Sequence, residues 1–153
     1  MNAIEKLVAE YEKAKAELQT KMKDGFKVLF KQFFEENPEV TFVGWNQYTP
    51  YFNDGEACVF GCNAGYAFAT NASDCSEIKY GEYSGEDENV WICDPDYGDY
   101  NEEKIPETVE ENMKALRSTL GKIPDEIYLE LFGDHSSVYA SKDGFDVEDY
   151  EHD

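Results

Sequence analysis

Residues 29–51 read LFKQFFEENPEVTFVGWNQYTPY, and within them the chain changes its period. Up to Phe33 the apolar side chains recur at alternating spacings of three and four, which marks one face of a helix. Asn37-Pro38 stops that pattern, because proline pushes the residue before it out of the helical region. From Val40 onward β-branched and aromatic residues dominate, as in a strand. A helix handing over to a sheet in this way predicts an α+β fold.

Working upstream, Ile4, Leu7, Tyr11, Ala14, Leu18, Met22, Phe26 and Leu29 keep the same spacing, so one helix is expected over residues 3–36 with Asn2 as its N-cap. At 1.5 Å per residue it would be ~50 Å long, more than a domain of this size needs. Leu7, Tyr11, Ala14 and Leu18 lie far from the Phe26–Phe34 cluster and follow a nearly strict heptad, which predicts a homodimer formed along that stripe. The alternative is a single helix lying across its own sheet, loosened in the middle by Gly25.

Working downstream, residues 39–69 predict a β-hairpin: Val40–Tyr51, a turn at Asn53-Asp54-Gly55, and a return over Ala57–Phe68. Pro50 belongs at an edge or bend, since it cannot donate to a ladder. On the return strand Cys58, Phe60, Cys62, Ala64, Tyr66 and Phe68 alternate onto one face, the expected core. The polar stretch Thr70–Asn89 reads as a surface loop with a short strand around Ile78–Tyr83. Val90–Cys93 reads as a buried strand and Asp94–Lys104 as irregular. Pro106 and Glu107 open a helix with the stripe Val109, Met113, Leu116 and Leu120, closed by Gly121. Pro124 opens a shorter helix that ends at Phe132 before Gly133, and Ser137–Tyr150 is a hairpin turning on Asp143-Gly144. The 153 residues suffice for one domain and not two. Its expected parts are the long helix (1–37), sheet and acidic loops (38–104), two shorter helices (105–133), and a C-terminal hairpin and tail (134–153), with the long helix packed on an antiparallel sheet.

Charge is the other signal. Thirteen Lys and Arg against thirty-four Asp and Glu give a net of −21. Residues 1–31 hold seven of the bases and five of the acids, leaving six bases against twenty-nine acids elsewhere. Residues 32–103 contain sixteen acids and one base, Lys79. Such a charge excludes direct gripping of nucleic acid or an anionic membrane. No apolar run approaches the ~18 residues needed to cross a bilayer, and Met1–Tyr11 lacks a signal peptide's apolar stretch, so a cytoplasmic protein is expected.

Chemistry-bearing motifs are sparse. The spacings of Cys58, Cys62, Cys75 and Cys93 give no zinc knuckle, so free, buried thiols are expected. His135 follows a helix end, where a structural role suffices, and His152 lies near an end expected to fray; no glycine-framed nucleophile accompanies either. Asp94-Pro95-Asp96-Tyr97-Gly98-Asp99 lacks the register of a calcium loop, since position twelve is Ile105. No metal, cofactor or catalytic residue is predicted. A hydrolase using paired carboxylates or a metal is a third and lesser alternative, although acids are too abundant to single out a pair.

The acidic segments carry more. Glu82, Glu86, Asp87, Glu88, Asp94, Asp96, Asp99, Glu102 and Glu103 occur without an intervening base, interleaved with Tyr80, Tyr83, Tyr97 and Tyr100. In the last hairpin Asp146 and Glu148 share one strand face, ~6.6–6.8 Å apart. Spaced negative charge beside flat rings imitates a nucleic acid, whereas the bland meaning of a charge run is a solvated face.

The stretch Trp45-Asn46-Gln47-Tyr48-Thr49-Pro50-Tyr51-Phe52-Asn53-Asp54-Gly55-Glu56-Ala57-Cys58-Val59-Phe60 resembles a segment of small, uncharacterised bacteriophage proteins. Phe132-Gly133-Asp134-His135, the later Lys-Asp-Gly-Phe hairpin and Glu151-His152-Asp153 are similar to theirs too. The resemblance implies a viral origin, hence a host-cell cytoplasm, and a small α+β domain. The charge pattern is similar in kind to phage DNA-mimic anti-restriction proteins. The leading expectation is therefore a non-enzymatic mimic blocking a host nucleic-acid-binding protein with a basic cleft. The alternative is a regulatory or assembly adaptor using the aromatic hairpin 45–60.

Overall fold

In the computed structural model, which describes residues 2–52, 54–79 and 82–152, a single helix α1 runs over Ala3–Glu36. Asn2 caps it: its Oδ1 accepts from the Glu5 amide at 2.9 Å, while its Nδ2 donates to Glu5 Oε1 at 2.9 Å. At the other end the backbone N–H and Nδ2 of buried Asn37 both donate to the Phe33 carbonyl. Gly25 does not interrupt the helix.

The strands follow in order: β1 (Phe42–Tyr48), β2 (Gly61–Cys62), β3 (Phe68–Thr70), β4 (Ile78–Lys79), β5 (Glu82–Tyr83) and β6 (Ile92–Cys93). Helices α2 (Glu107–Leu120) and α3 (Asp125–Phe132) then lead to β7 (Ser136–Ser141) and β8 (Gly144–Asp149). The main sheet is antiparallel in the order β6-β3-β1-β7-β8, with β2 also on β1, while β4 and β5 form a separate small hairpin. The fold class is therefore α+β, as the change of period at Asn37-Pro38 predicts.

One strand departs from expectation. The return after β1 is not continuous: β2 pairs Cys62 with Gln47, a turn over Ala64–Tyr66 intervenes, and β3 pairs Phe68 with Gly44. That turn shifts the alternation. Cys62 shares the face of Gln47, and Phe68 falls on the opposite face with Gly44. Tyr66, expected in the core, is exposed, and Cys58 and Phe60 lie outside any strand, half-buried. In the last hairpin Ser141 pairs with Gly144, so the two-residue loop is Lys142-Asp143, one position earlier than Asp143-Gly144. Asn53, Tyr80 and Gly81, which carried expected turn, tyrosine and loop positions, lie outside the described residues.

The sheet separates two layers. On its inner face Val43, Trp45, Val138 and Ala140 pack under Phe26, Phe30, Phe33 and Phe34 of α1, with α2 and α3 completing the core. Trp45 stacks on Phe30 at 5.8 Å between centroids and meets Tyr128 edge-on at 5.9 Å. On the outer face Phe68 and Tyr139 are covered by Ala72, Ile78, Val90 and Ile92 from the acidic excursion between β3 and α2. Gly44 is required there: a Cβ would stand 2.5 Å from Phe68 Cζ.

Candidate functional site

The excursion is tied down by polar side chains rather than by a large core. Asn71 Oδ1 accepts from the Trp91 amide at 2.8 Å, and Thr70 Oγ1 donates to the Trp91 carbonyl at 2.9 Å. Asn101 Nδ2 donates to the Val90 carbonyl at 2.7 Å, and Lys104 Nζ to that of Glu88 at 2.7 Å. Asp87 takes its amide bond from the Tyr83 hydroxyl side, its N–H donating to Tyr83 Oη at 3.0 Å. Fixed in this way, Glu82, Glu86, Asp87, Glu88, Asp96, Asp99, Glu102 and Glu103 are all exposed.

Asp94 is different and corrects the sequence reading. It is only 4 % exposed, so it is not part of the open acidic surface. Its Oδ1 accepts from the amides of Asp96 and Tyr97 at 2.8 and 3.1 Å, and its own N–H donates to Asp99 Oδ1 at 2.8 Å. Burial pushes its carboxyl above the usual range, against the opposing pull of those two amides and of Arg117.

Asp146 and Glu148 stand opposite Tyr139 and Ser137, on the outer face of edge strand β8, and both are exposed. The acids thus occupy the outer layer and continue round the β6 edge, where carboxylate oxygens of Asp99, Glu102 and Glu110 lie within 4.8 Å of one another. The basic residues of α1 belong to the opposite layer. Two of them pair with α3, Lys23 with Glu130 at 2.8 Å and Lys15 with Glu126 at 3.8 Å. Leu7, Tyr11, Ala14 and Leu18 are exposed, Leu18 to 60 %, together with Ile4 and Val8. The stripe is therefore open in the monomer.

Several arrangements escaped the sequence reading. Arg117 reaches from α2 under the acidic turn, donating from Nε to the Ala67 carbonyl at 2.8 Å and from Nη2 to that of Cys93 at 3.1 Å. Gln47, on a strand otherwise apolar on that face, is fully buried and bonds α3. Its local signal was a polar residue at an inward position of β1. His135 and His152 meet with Nδ1 and Nε2 2.7 Å apart. Tyr51 lies against both rings at 5.0 and 4.3 Å, and Tyr48 against His152 at 4.2 Å. His152 is thus packed rather than frayed. Asp134 holds the preceding turn by accepting from Thr49 N and Oγ1 at 2.7 and 2.6 Å. The four cysteines carry no disulfide, and burial pushes the Cys62 thiol up to about 12.

No family model, curated protein or solved structure matches the chain. Among the described residues no helix is long and apolar enough to cross a membrane.

Proposed function

We propose that the chain is a non-enzymatic phage protein whose acidic layer imitates nucleic acid and occupies the basic cleft of a host DNA- or RNA-binding defence protein. The observation that carries this reading is the segregation of charge. Eight exposed acids of residues 82–103, with Asp146 and Glu148, share the outer layer and its β6 edge, while seven of the thirteen bases sit on α1 across the sheet, where seven acids balance them. A surface kept anionic only for solubility would intersperse the two signs to limit self-repulsion. The mechanism is competitive, because a pre-folded array of carboxylates spends little ordering entropy on binding. The exposed stripe of α1 pairs two copies in the same reading.

The test is capture of proteins from bacterial lysate on the immobilised chain, eluted by rising salt and competed by duplex DNA. Replacing Glu86, Asp87 and Glu88 by their amides should weaken capture by a few increments of ~0.2–1 kcal/mol, the worth of exposed ion pairs. Replacing Asp96, Asp99, Glu102 and Glu103 as well should flatten the salt dependence. Retention unaffected by these seven changes refutes mimicry. A second reading, the adaptor through residues 45–60, is favoured by Phe52 and Val59, which are 77 % and 74 % exposed on that loop. It requires capture that is insensitive to salt and lost on Phe52→Ala.

A further inference from the structure

On the outer face of the sheet the stripe Gly44, Asn46 and Tyr48 is only partly covered: Gly44 is buried beneath Phe68, while Asn46 and Tyr48 are half-buried. It floors a groove of about 60 Å³ bounded by Tyr66, Tyr97 and Tyr150, and Asp94 and Asp96 also line it. The rings are flat walls at different stages of exposure: Tyr97 is 70 % exposed at the rim, whereas Tyr150 is half-buried and lies 5.3 Å from Tyr48.

Asp94 gives the groove its chemistry. The residue is only 4 % exposed, yet only Oδ1 has hydrogen-bond partners among the described residues, the amides of Asp96 and Tyr97. Every side-chain nitrogen or oxygen that is fully shut off from solvent among those residues has a partner, so Oδ2 retains some exposed surface, and Asp94 is one of the residues that line the groove. A nearly buried carboxylate with one open oxygen, ringed by tyrosines, rejects anions and lacks a cation. Arg117, a base whose charge acts on it, is already committed to the carbonyls of Ala67 and Cys93.

We infer that this groove receives one arginine side chain of a basic protein partner, its guanidinium donating to Asp94 Oδ2 while its planar face lies against the tyrosine walls. Arginine fits better than lysine, since a guanidinium is flat, more weakly hydrated and stacks on aromatic rings. The volume of about 60 Å³ leaves room for more than a single water, which needs only ~10–15 Å³ of such space. Asp96, exposed at the rim, adds a second carboxylate. The inference rests on the proposal that the partner is a basic protein, and it supplies what a diffuse acidic face lacks, a single anchoring point.

The experiment is an amide-shift NMR titration of the chain with acetyl-Gly-Arg-Gly-amide, and with the lysine and citrulline analogues. Saturable shifts confined to Asn46, Asn63, Tyr66, Asp94, Asp96 and Tyr97 are expected with the arginine peptide. The lysine peptide should bind at least ~threefold more weakly and the neutral citrulline peptide not at all. Asp94→Asn should weaken arginine binding ~tenfold and Tyr97→Ala several-fold, each with the rest of the spectrum unchanged. Asn retains an oxygen for the two amides, and the exposed Tyr97 ring leaves no hole, so both variants report on the groove rather than on folding. The triple change Glu86→Gln, Asp87→Asn, Glu88→Gln should leave binding within ~twofold, because these groups do not line the groove. Equal affinity for arginine and lysine, shifts spread over Glu82–Glu88, or indifference to Asp94→Asn overturns the inference. No host partner is involved, so a silent groove beside salt-sensitive lysate capture leaves mimicry standing. Peptide binding without such capture does the reverse.

Discussion

Replacing Gln47 by methionine tests how the sheet is joined to α3. The side chain is fully buried; its Nε2 donates to the carbonyls of Tyr128 and Gly133 at 2.9 and 2.8 Å, and its Oε1 accepts from Trp45 Nε1 at 3.1 Å. Methionine keeps the length and removes the amide, leaving two carbonyls, an indole N–H and the weak Cys62 thiol donor without their partner. Each abandoned buried group costs about 1–3 kcal/mol. Burial of the thioether recovers part of this, and the Gly133 carbonyl is near enough to the surface to find water, so the expected loss is about 3–5 kcal/mol. Set against a total stability of order 5–15 kcal/mol, that is a large fraction. Urea unfolding followed by tryptophan fluorescence should show the midpoint falling by ~2 M at an unchanged slope near 2 kcal/mol/M. Gln47→Glu should be worse at neutral pH, since a carboxylate would face two carbonyls. Its folded-state pKa would be raised, so its deficit relative to Gln47→Met should shrink as pH falls through that value. A midpoint shift below ~0.5 M for Gln47→Met would mean the hydrogen bonds contribute nothing net, and the reasoning fails.

Three further outcomes are expected. Light scattering at micromolar concentration should report a dimer, and Leu7→Glu with Leu18→Glu should leave the folded 17.5 kDa monomer, because both side chains are exposed in the protomer; a monomer in the unaltered chain removes the dimer. Asp134→Ala should destabilise by about 1 kcal/mol at pH 7, three exposed acceptor bonds being discounted for solvent. Although slight burial raises the Asp134 carboxyl, the Thr49 hydroxyl and amide and the His135 amide outweigh it and hold it below 3.8, so the effect should persist above that pH and fade as pH drops through the folded-state value. Cys62, whose thiol is pushed up to about 12 by burial, should resist iodoacetamide at pH 8 in the folded chain and react in urea; rapid native labelling contradicts the packing.

Elements written in local periods were legible in the sequence. The long helix with its Asn2 and Asn37 ends, the glycine-closed helices α2 and α3, and the last hairpin all follow from spacing and caps within a few residues. The split return strand was not read, although Asn63 and Gly65 are turn residues, because an alternation of apolar residues ran straight through them. Asp94 misled for a different reason. In sequence it is one acid among nine, and its surroundings include Tyr66 and Phe68 along the same groove and the charge of Arg117 on α2, which are remote along the chain. Gln47 and the His135–His152 pair belong to the same class, since their partners lie 81 and 17 residues away.

The placement of α1 across the sheet from the acidic layer has a kinetic consequence. Helix α1 carries seven bases against seven acids and is neutral on balance, so the negative charge of this rigid body is centred towards its outer layer, and a basic cleft exerts a torque on such a body before contact. Rotation during approach brings the anionic side forward and leaves the ~50 Å helix trailing, so a larger share of collisions arrives facing the right way. The benefit appears in the association rate, not in residence time. It is confined to separations within the ~8–10 Å screening length of ordinary salt. Moving two lysines from α1 to residues of the outer layer would leave the net charge at −21 and still slow encounter.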